Sequence, residues 1–181
     1  RPADNPIDRF VDAQLERLRL PSSPLTSDHA FLRRVMLDLC GRLPTHSEIE
    51  QFTKDESAEK RSKLIEELLT TRDFADYWAL KWANILTIDS KQLQAEGADA
   101  YHRWLADQID RDVPLDQTVT QLVTAVGDSF ENGAANFSRF GNSPGDLAEQ
   151  ASRVFMGVRL RCANCHNHPL DHWTQDDYHG L

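Results

Sequence analysis

Apolar residues recur every three or four positions along most of this chain, which is the spacing of one face of an α-helix. The first such stripe contains Phe10, Val11, Leu15 and Leu18, and it predicts a helix over residues 8–20. No stretch alternates apolar and polar residues over the length of a strand. The pattern therefore predicts an all-α fold, in the form of a multi-helix globular domain.

Residues that start and stop helices support this interpretation. Ser27 is a typical N-cap, and Gly41 is a typical left-handed C-cap for the helix between them. Thr45 and Glu48 have the spacing of a capping box. Further helices are predicted to begin at Ser57 and at Asp73, to span residues 98–110 and 115–126, to begin at Asp146, and to begin with a second capping box at residues 174–177.

Three segments carry more specific predictions. The helix that begins at Asp73 has aromatic residues on more than one side, which predicts the most buried helix of the fold. Residues 89–97 are polar and predict a loop, and the helix that begins at Asp146 is predicted to be long. Residues 128–145 are rich in Gly, Asn and Ser and predict a long irregular loop before the C-terminal motif. Its aromatic residues could cover a cofactor face or only pack a core.

The C-terminal motif is C-x-x-C-H, formed by Cys162, Cys165 and His166. Two cysteines at this spacing can form thioether bonds with two vinyl groups of one haem, and the next histidine can then bind the iron. The motif therefore predicts c-type haem attachment with His166 as the proximal ligand. Without a cofactor, the two cysteines could instead form a disulfide.

Zinc binding is the main alternative, because His168 adds a fourth nitrogen or sulfur donor to Cys162, Cys165 and His166. Closed zinc sites usually combine ligand pairs from separate elements, whereas these four donors fall within seven residues. A thioredoxin-like dithiol is less favoured, because no β-α-β context surrounds the motif. Cys40 lies in an apolar helical stripe and is interpreted as a small buried hydrophobic residue.

Arginines and further histidines near the motif provide candidate cofactor contacts. Arg159 and Arg161 could pair with haem propionates, or they could lie on a solvated helix face. His168 is too close in sequence to His166 to reach the other face of the ring. The candidates for the sixth iron ligand are His172, His179, His102 and Met156, and an open sixth position is the alternative.

Composition limits the classes of function. The net charge of −9 argues against nucleic-acid binding, because phosphate contacts need a clustered basic surface. No apolar run is long enough to cross a bilayer. The opening at residues 1–4 has no leader pattern and is interpreted as the start of a mature fragment. The chain is interpreted as one domain, residues 1–181, whose C-terminal end is truncated one turn into a helix.

Several motifs together resemble one known family. They are residues 31–45 (FLRRVMLDLCGRLPT), residues 155–170 (FMGVRLRCANCHNHPL), residues 173–178 (WTQDDY), and a middle region with Lys60, Arg61, Tyr77, Trp78 and Trp82. The chain resembles, over nearly its whole length, the planctomycete DUF1549 family, also called the cytochrome c-like PSCyt2 domain.

The resemblance implies a domain of a larger protein that is exported to the periplasm or the cell surface. It implies a haem c at Cys162, Cys165 and His166, and a DUF1553-like domain downstream in the same chain. It does not supply a reaction. The first hypothesis is therefore electron transfer with a redox partner protein. The alternatives are a structural or interaction module, with zinc or no cofactor, and a redox enzyme that uses an open iron position.

Overall fold

The computed structural model describes residues 6–181 and confirms the all-α fold, since no residue in that range belongs to a strand. The predicted features of residues 1–4 lie outside the described residues. No helix in this range is long and apolar enough to cross a membrane. The α-helices are α1 (Pro6–Arg17), α2 (Asp28–Cys40), α3 (His46–Lys54), α4 (Lys60–Leu69), α5 (Arg72–Ile85), α6 (Ser90–Asp110), α7 (Leu115–Thr124), α8 (Pro144–Ala151) and α9 (Gln175–Gly180).

The predicted cap signals at the α2–α3 connection are confirmed. Ser27 accepts a hydrogen bond from the Ala30 N–H, and Gly41 ends α2 in the left-handed conformation at φ 67°. Both hydrogen bonds of the Thr45–Glu48 capping box are present. Local hydrogen-bonding chemistry therefore fixes this connection, as the sequence pattern predicted.

Two hydrophobic cores lie on either side of α5. The first joins α2, α3 and α4 through Leu32, Met36, Phe52 and Leu68, and it buries Cys40 as predicted. The second joins α5, α6, α7 and a 3-10 helix at Gly133–Arg139. Since α5 packs against both α2 and α6, it connects the two cores.

The prediction that α5 is the most buried helix is wrong. Its buried face consists of the small residues Ala75, Ala79 and Ala83, while Trp78 is 37% exposed. Helix α6 buries more of its length, including Tyr101 and Leu105. The alanines let neighbouring helices approach α5 closely, and its aromatic side chains therefore lie at the margins of the contact.

The predicted loop over residues 89–97 is also wrong, because α6 already begins at Ser90. Asp89 caps this start by accepting a hydrogen bond from the Lys91 N–H. The helix is interrupted at Gln94, where φ is 64°. Leu93 and Gly97 are buried, so tertiary packing stabilises helical turns in a polar segment that lacks an obvious apolar stripe.

The segment before the motif is more regular than predicted, and its helix is shorter. The 3-10 helix Gly133–Arg139 lies within the predicted irregular loop and packs Phe137 into the second core. Ser143, and not Asp146, caps α8. Helix α8 passes into a π-helical turn at Ser152–Met156, which Gly157 ends. The motif therefore lies on a separate turn and not on a long helix.

Arg42 supplies an ion pair whose strength depends on pH. It donates hydrogen bonds to both Glu48 carboxylate oxygens, at 3.0 and 2.9 Å, and to Asp73 at 2.6 Å. The hydrogen bonds from Arg42, as the largest cause, and those from Thr45 lower the pKa of Glu48 to about 2 from its ordinary value of 4.5. The pair therefore contributes its full stability only at pH values above the pKa of Glu48 in the unfolded chain.

We expect Glu48→Gln to lower the free energy of unfolding by about 1 kcal/mol at pH 7, because solvent screens this partly exposed pair. The folded-state pKa is depressed, so this stability is present above pH 4.5 and is lost as the pH falls to about 2. Urea unfolding curves between pH 7 and pH 2 should therefore converge for the two proteins. Glu50→Gln is the control on the same helix. A difference that stays constant down to pH 2 would contradict the assignment.

Gly41 and Gly157 form a matched pair for a second test. Both have φ of 67°, but a Cβ at Gly41 would clash with the Tyr77 ring, whereas a Cβ at Gly157 would meet no described residue within 4 Å. Gly157→Ala should cost about 1 kcal/mol from backbone strain alone. Gly41→Ala should cost about 1–3 kcal/mol more, because the ring must also move. Thermal unfolding makes the measurement. Equal losses of unfolding free energy in the two variants would contradict a contribution from the Tyr77 contact.

Candidate functional site

The C-x-x-C-H residues lie on one tight turn of backbone. A 3-10 helix spans Arg161–Asn164, and the carbonyl of Cys162 accepts hydrogen bonds from the N–H groups of Cys165 and His166, each at 3.4 Å. Both cysteines are exposed and unpaired. The turn therefore presents two free thiols and one imidazole within five consecutive residues.

A small apolar cluster packs against the buried side of this turn. Ala163, between the two cysteines, is fully buried and packs with Leu160 and Tyr178, and Trp173 packs against the same cluster. Because Ala163 points inward, its neighbours on the turn face outward. Tyr178 belongs to α9, which begins at the predicted second capping box: Thr174 accepts from the Asp177 N–H, and the Asp177 carboxylate accepts from Thr174.

Three hydrogen bonds join α9 and the segment before it to the motif. The Gln175 N–H donates to Asn167 Oδ1 at 3.2 Å, and Gln175 Nε2 donates to the Asn164 carbonyl at 3.3 Å. The His168 N–H donates to the Trp173 carbonyl at 2.8 Å. These bonds fold residues 164–175 into a closed loop that supports the motif turn.

The hydrogen bond of His166 determines which ring nitrogen is free. Its Nδ1 lies 2.7 Å from the Asn167 carbonyl oxygen. A carbonyl can only accept, so Nδ1 carries the proton and donates. In the neutral ring, Nε2 then has a free lone pair. A hydrogen bond of this kind also orients metal-binding histidines.

His168 has the opposite arrangement. Its Nδ1 lies 3.3 Å from the Leu170 N–H, which can only donate, so Nδ1 is the acceptor. In this arrangement the neutral ring carries its proton on Nε2. His168 has a turn-forming role that the sequence pattern did not reveal. Among the described residues, no group of three or more His, Cys, Asp or Glu side chains is arranged to hold a metal ion.

Arg159 and Arg161 lie on a common cleft beside the motif. The cleft has a volume of about 560 Å³, and Arg153, Phe140 and Glu149 also line it. Phe140 comes from the segment that was predicted to cover a cofactor or to pack. Within that segment, Phe137 packs in the second core, while Phe140 lines the arginine cleft. Asp146 also lines the cleft, so its three arginines are accompanied by two carboxylates.

Two of the proposed sixth ligands lie near the motif. His179 lines a second cavity of about 380 Å³ together with Arg161, Asn164 and Tyr178. His172 is exposed, and its Nδ1 lies 2.7 Å from the Asp171 carboxylate. That contact leaves the His172 Nε2 free in the neutral ring. The backbone N–H of His172 donates a hydrogen bond to the Asp171 carboxylate. This bond is the largest cause of the lowered pKa of Asp171, which keeps the carboxylate ionised.

The other two proposed ligands lie elsewhere. His102 belongs to α6, which packs mainly against α5 and the 3-10 helix Gly133–Arg139. Met156 is exposed at the end of the π-helical turn. Neither residue lines the two cavities beside the motif.

Trp173 is a site residue that sequence reasoning missed. Its indole N–H is shielded from solvent and has no acceptor among the described residues. A buried donor without a partner costs about 1–3 kcal/mol, so an acceptor group bound beside the motif would stabilise it. Sequence alone gave its place directly before the second capping box and within the family motif at residues 173–178, but no role at the site.

These features define the class of this protein as an all-α domain with a surface-exposed C-x-x-C-H turn. The chain belongs to the PSCyt2 family: the family model, described as a protein of unknown function (DUF1549), matches residues 6–181. The predicted resemblance is thereby confirmed. No curated protein and no solved structure matches the chain.

The role of His168 can be tested with two substitutions. His168→Asn keeps an acceptor close to the position of Nδ1, whereas His168→Phe removes it. We expect the Leu170 amide to exchange with solvent at a similar rate in wild type and His168→Asn, and about tenfold faster in His168→Phe. Hydrogen exchange followed by NMR makes the measurement. Equal exchange in all three proteins, or tight zinc binding that both substitutions abolish, would contradict a turn-forming role.

Proposed function

We propose that this domain carries a covalently attached haem c and transfers electrons within a larger exported protein. The observation that carries the proposal is the motif turn itself: Cys162 and Cys165 are exposed and unpaired, and His166 has a free Nε2. These are the three groups that c-type attachment needs. The PSCyt2 family assignment agrees with a cytochrome-like domain, and the family has no established reaction.

The neighbouring residues fit such a group. Arg159 and Arg161 offer cationic partners for propionates on the adjacent cleft. The Trp173 indole N–H is a buried donor that needs an acceptor. The zinc alternative is less favoured, because His168 uses Nδ1 as an acceptor and carries its proton on Nε2.

The residues of the motif turn would then have defined tasks. Cys162 and Cys165 would hold the haem: each thiol would add across one vinyl group, giving one C–S and one C–H bond without net oxidation. His166 would bind the iron through Nε2, because its Nδ1 proton is donated to the Asn167 carbonyl. The haem, when bound, supplies one-electron chemistry. Ala163, Leu160 and Tyr178 keep the turn fixed, which limits reorganisation at the site.

His172 and His179 are the proposed candidates for the sixth ligand, since both lie close to the motif. His172 resembles a preoriented ligand, because Asp171 holds its Nδ1 proton. His179 lines the cavity that Arg161 also lines. A DUF1553-like domain in the same chain and a separate redox protein are the proposed partners. The net charge of −9 favours a redox partner with a basic surface.

The test is to produce the chain with the bacterial export and haem-attachment apparatus and measure its mass and absorption spectrum. We expect one haem per chain that stays bound after denaturation. Cys162→Ala or Cys165→Ala should leave one thioether and shift the bands of the denatured protein, and the double substitution should abolish covalent haem. The physical reason is that each cysteine supplies one of the two bonds.

Cys40→Ala is the matched control, because Cys40 is buried in the first core and remote in sequence from the motif. Haem loading should survive this change. Absence of haem from the wild-type chain, or one zinc per chain bound by the motif cysteines, would contradict the proposal. A high-spin iron with an exchangeable sixth position would instead favour the redox-enzyme alternative over simple electron transfer.

A further inference from the structure

A separate pocket lies between α5, α6 and α7, in the second core. It has a volume of about 250 Å³, and its walls include Trp82 from α5, Leu105 from α6 and Leu122 from α7. Phe155, from the π-helical turn, closes one side. None of the motif cysteines or histidines lines it, so this pocket is distinct from the candidate haem site.

The residues that line the pocket favour an uncharged occupant. The lining residues are apolar except for Gln108 and Thr118, and none of them is charged. An ion that entered would lose its hydration without gaining an opposite charge, which is strongly unfavourable. The pocket therefore selects neutral, largely apolar molecules.

Gln108 adds a specific polar requirement. Its side chain is among the few buried polar ones, with the residue 7% exposed, and its Oε1 has no hydrogen-bond donor within residues 6–181. The terminal torsion of glutamine is soft, so a small rotation can turn this oxygen toward the pocket. An occupant with one O–H or N–H group would supply the missing donor.

The volume limits the size of the occupant. An apolar cavity of about 150 Å³ holds benzene, and pockets for drug-sized ligands begin at about 300 Å³. A pocket between these sizes fits one substituted ring. A peptide segment would bring further backbone polar groups, and the pocket walls offer few partners for them.

We propose that this pocket binds a small neutral ligand made of one apolar ring with a single hydroxyl donor, which bonds to Gln108. The ligand hydroxyl loses its hydrogen bonds to water and gains one to Gln108 Oε1, which has no donor within residues 6–181. The apolar part of the ring contacts Trp82, Leu105 and Phe155. The proposal does not depend on haem attachment, because no residue of the motif takes part.

The experiment compares three probes of similar shape by NMR titration of the 181-residue chain. The probes are p-cresol, p-xylene, which replaces the hydroxyl by a methyl group, and 4-methylbenzoate, which is charged. We expect p-cresol to bind with a dissociation constant of about a millimolar or lower, and p-xylene about tenfold more weakly. The charged probe should not bind. Shifts of the Trp82 indole signal would locate the binding.

Gln108→Met should abolish the preference for p-cresol over p-xylene and leave p-xylene binding intact. Gln121→Met is the control, since Gln121 lies exposed on α7. Val119→Trp should fill the pocket and block both neutral probes, with circular dichroism as the check on folding. Equal affinity of wild type for p-cresol and p-xylene would overturn the proposal. Binding of p-cresol that leaves the Trp82 indole signal unshifted would also overturn the proposal. So would the absence of binding because another segment of the chain covers the pocket.

Discussion

The packing of Tyr178 against the motif turn is the contact on which the candidate site depends. Tyr178 covers Leu160 and the buried Ala163, and its hydroxyl donates to Glu149 on α8 at 3.3 Å. The adjacent Gln150 donates to the Ile85 carbonyl at the end of α5. One tyrosine thus links the exposed thiols to the core of the fold. Gly145 leaves room beside it, because a Cβ there would lie 2.6 Å from the hydroxyl oxygen and would displace it.

Sequence reasoning succeeded where short-range chemistry decides the structure. The two capping boxes, the left-handed cap at Gly41 and the burial of Cys40 each depend on a few neighbouring residues or on helical periodicity, and each is present. The family resemblance was also readable, because the matching motifs are spread along the chain. The candidate residues Cys162, Cys165 and His166 followed from spacing alone.

Apart from the cap of α8, which was predicted at Asp146 and lies at Ser143, the failures concern long-range packing. The polar segment that holds Leu93 forms helical turns because the second core buries that side chain, which no local pattern indicated. Helix α5 uses alanines for its contacts, so counting its aromatic residues overestimated its burial. The different roles of His166 and His168 required the positions of the Asn167 carbonyl and the Leu170 N–H. Those two contacts distinguish His166, a candidate ligand, from His168, a turn-forming residue.

The central claim is that the motif cysteines of this PSCyt2 domain bear a haem in the native protein. Mass spectrometry of the peptide that contains Cys162 and Cys165, taken from protein isolated from its natural host, tests the claim most directly. Covalent attachment predicts a peptide heavier by one haem, in which neither thiol reacts with an alkylating reagent. A peptide without added mass, in which both thiols are alkylated, would contradict the claim.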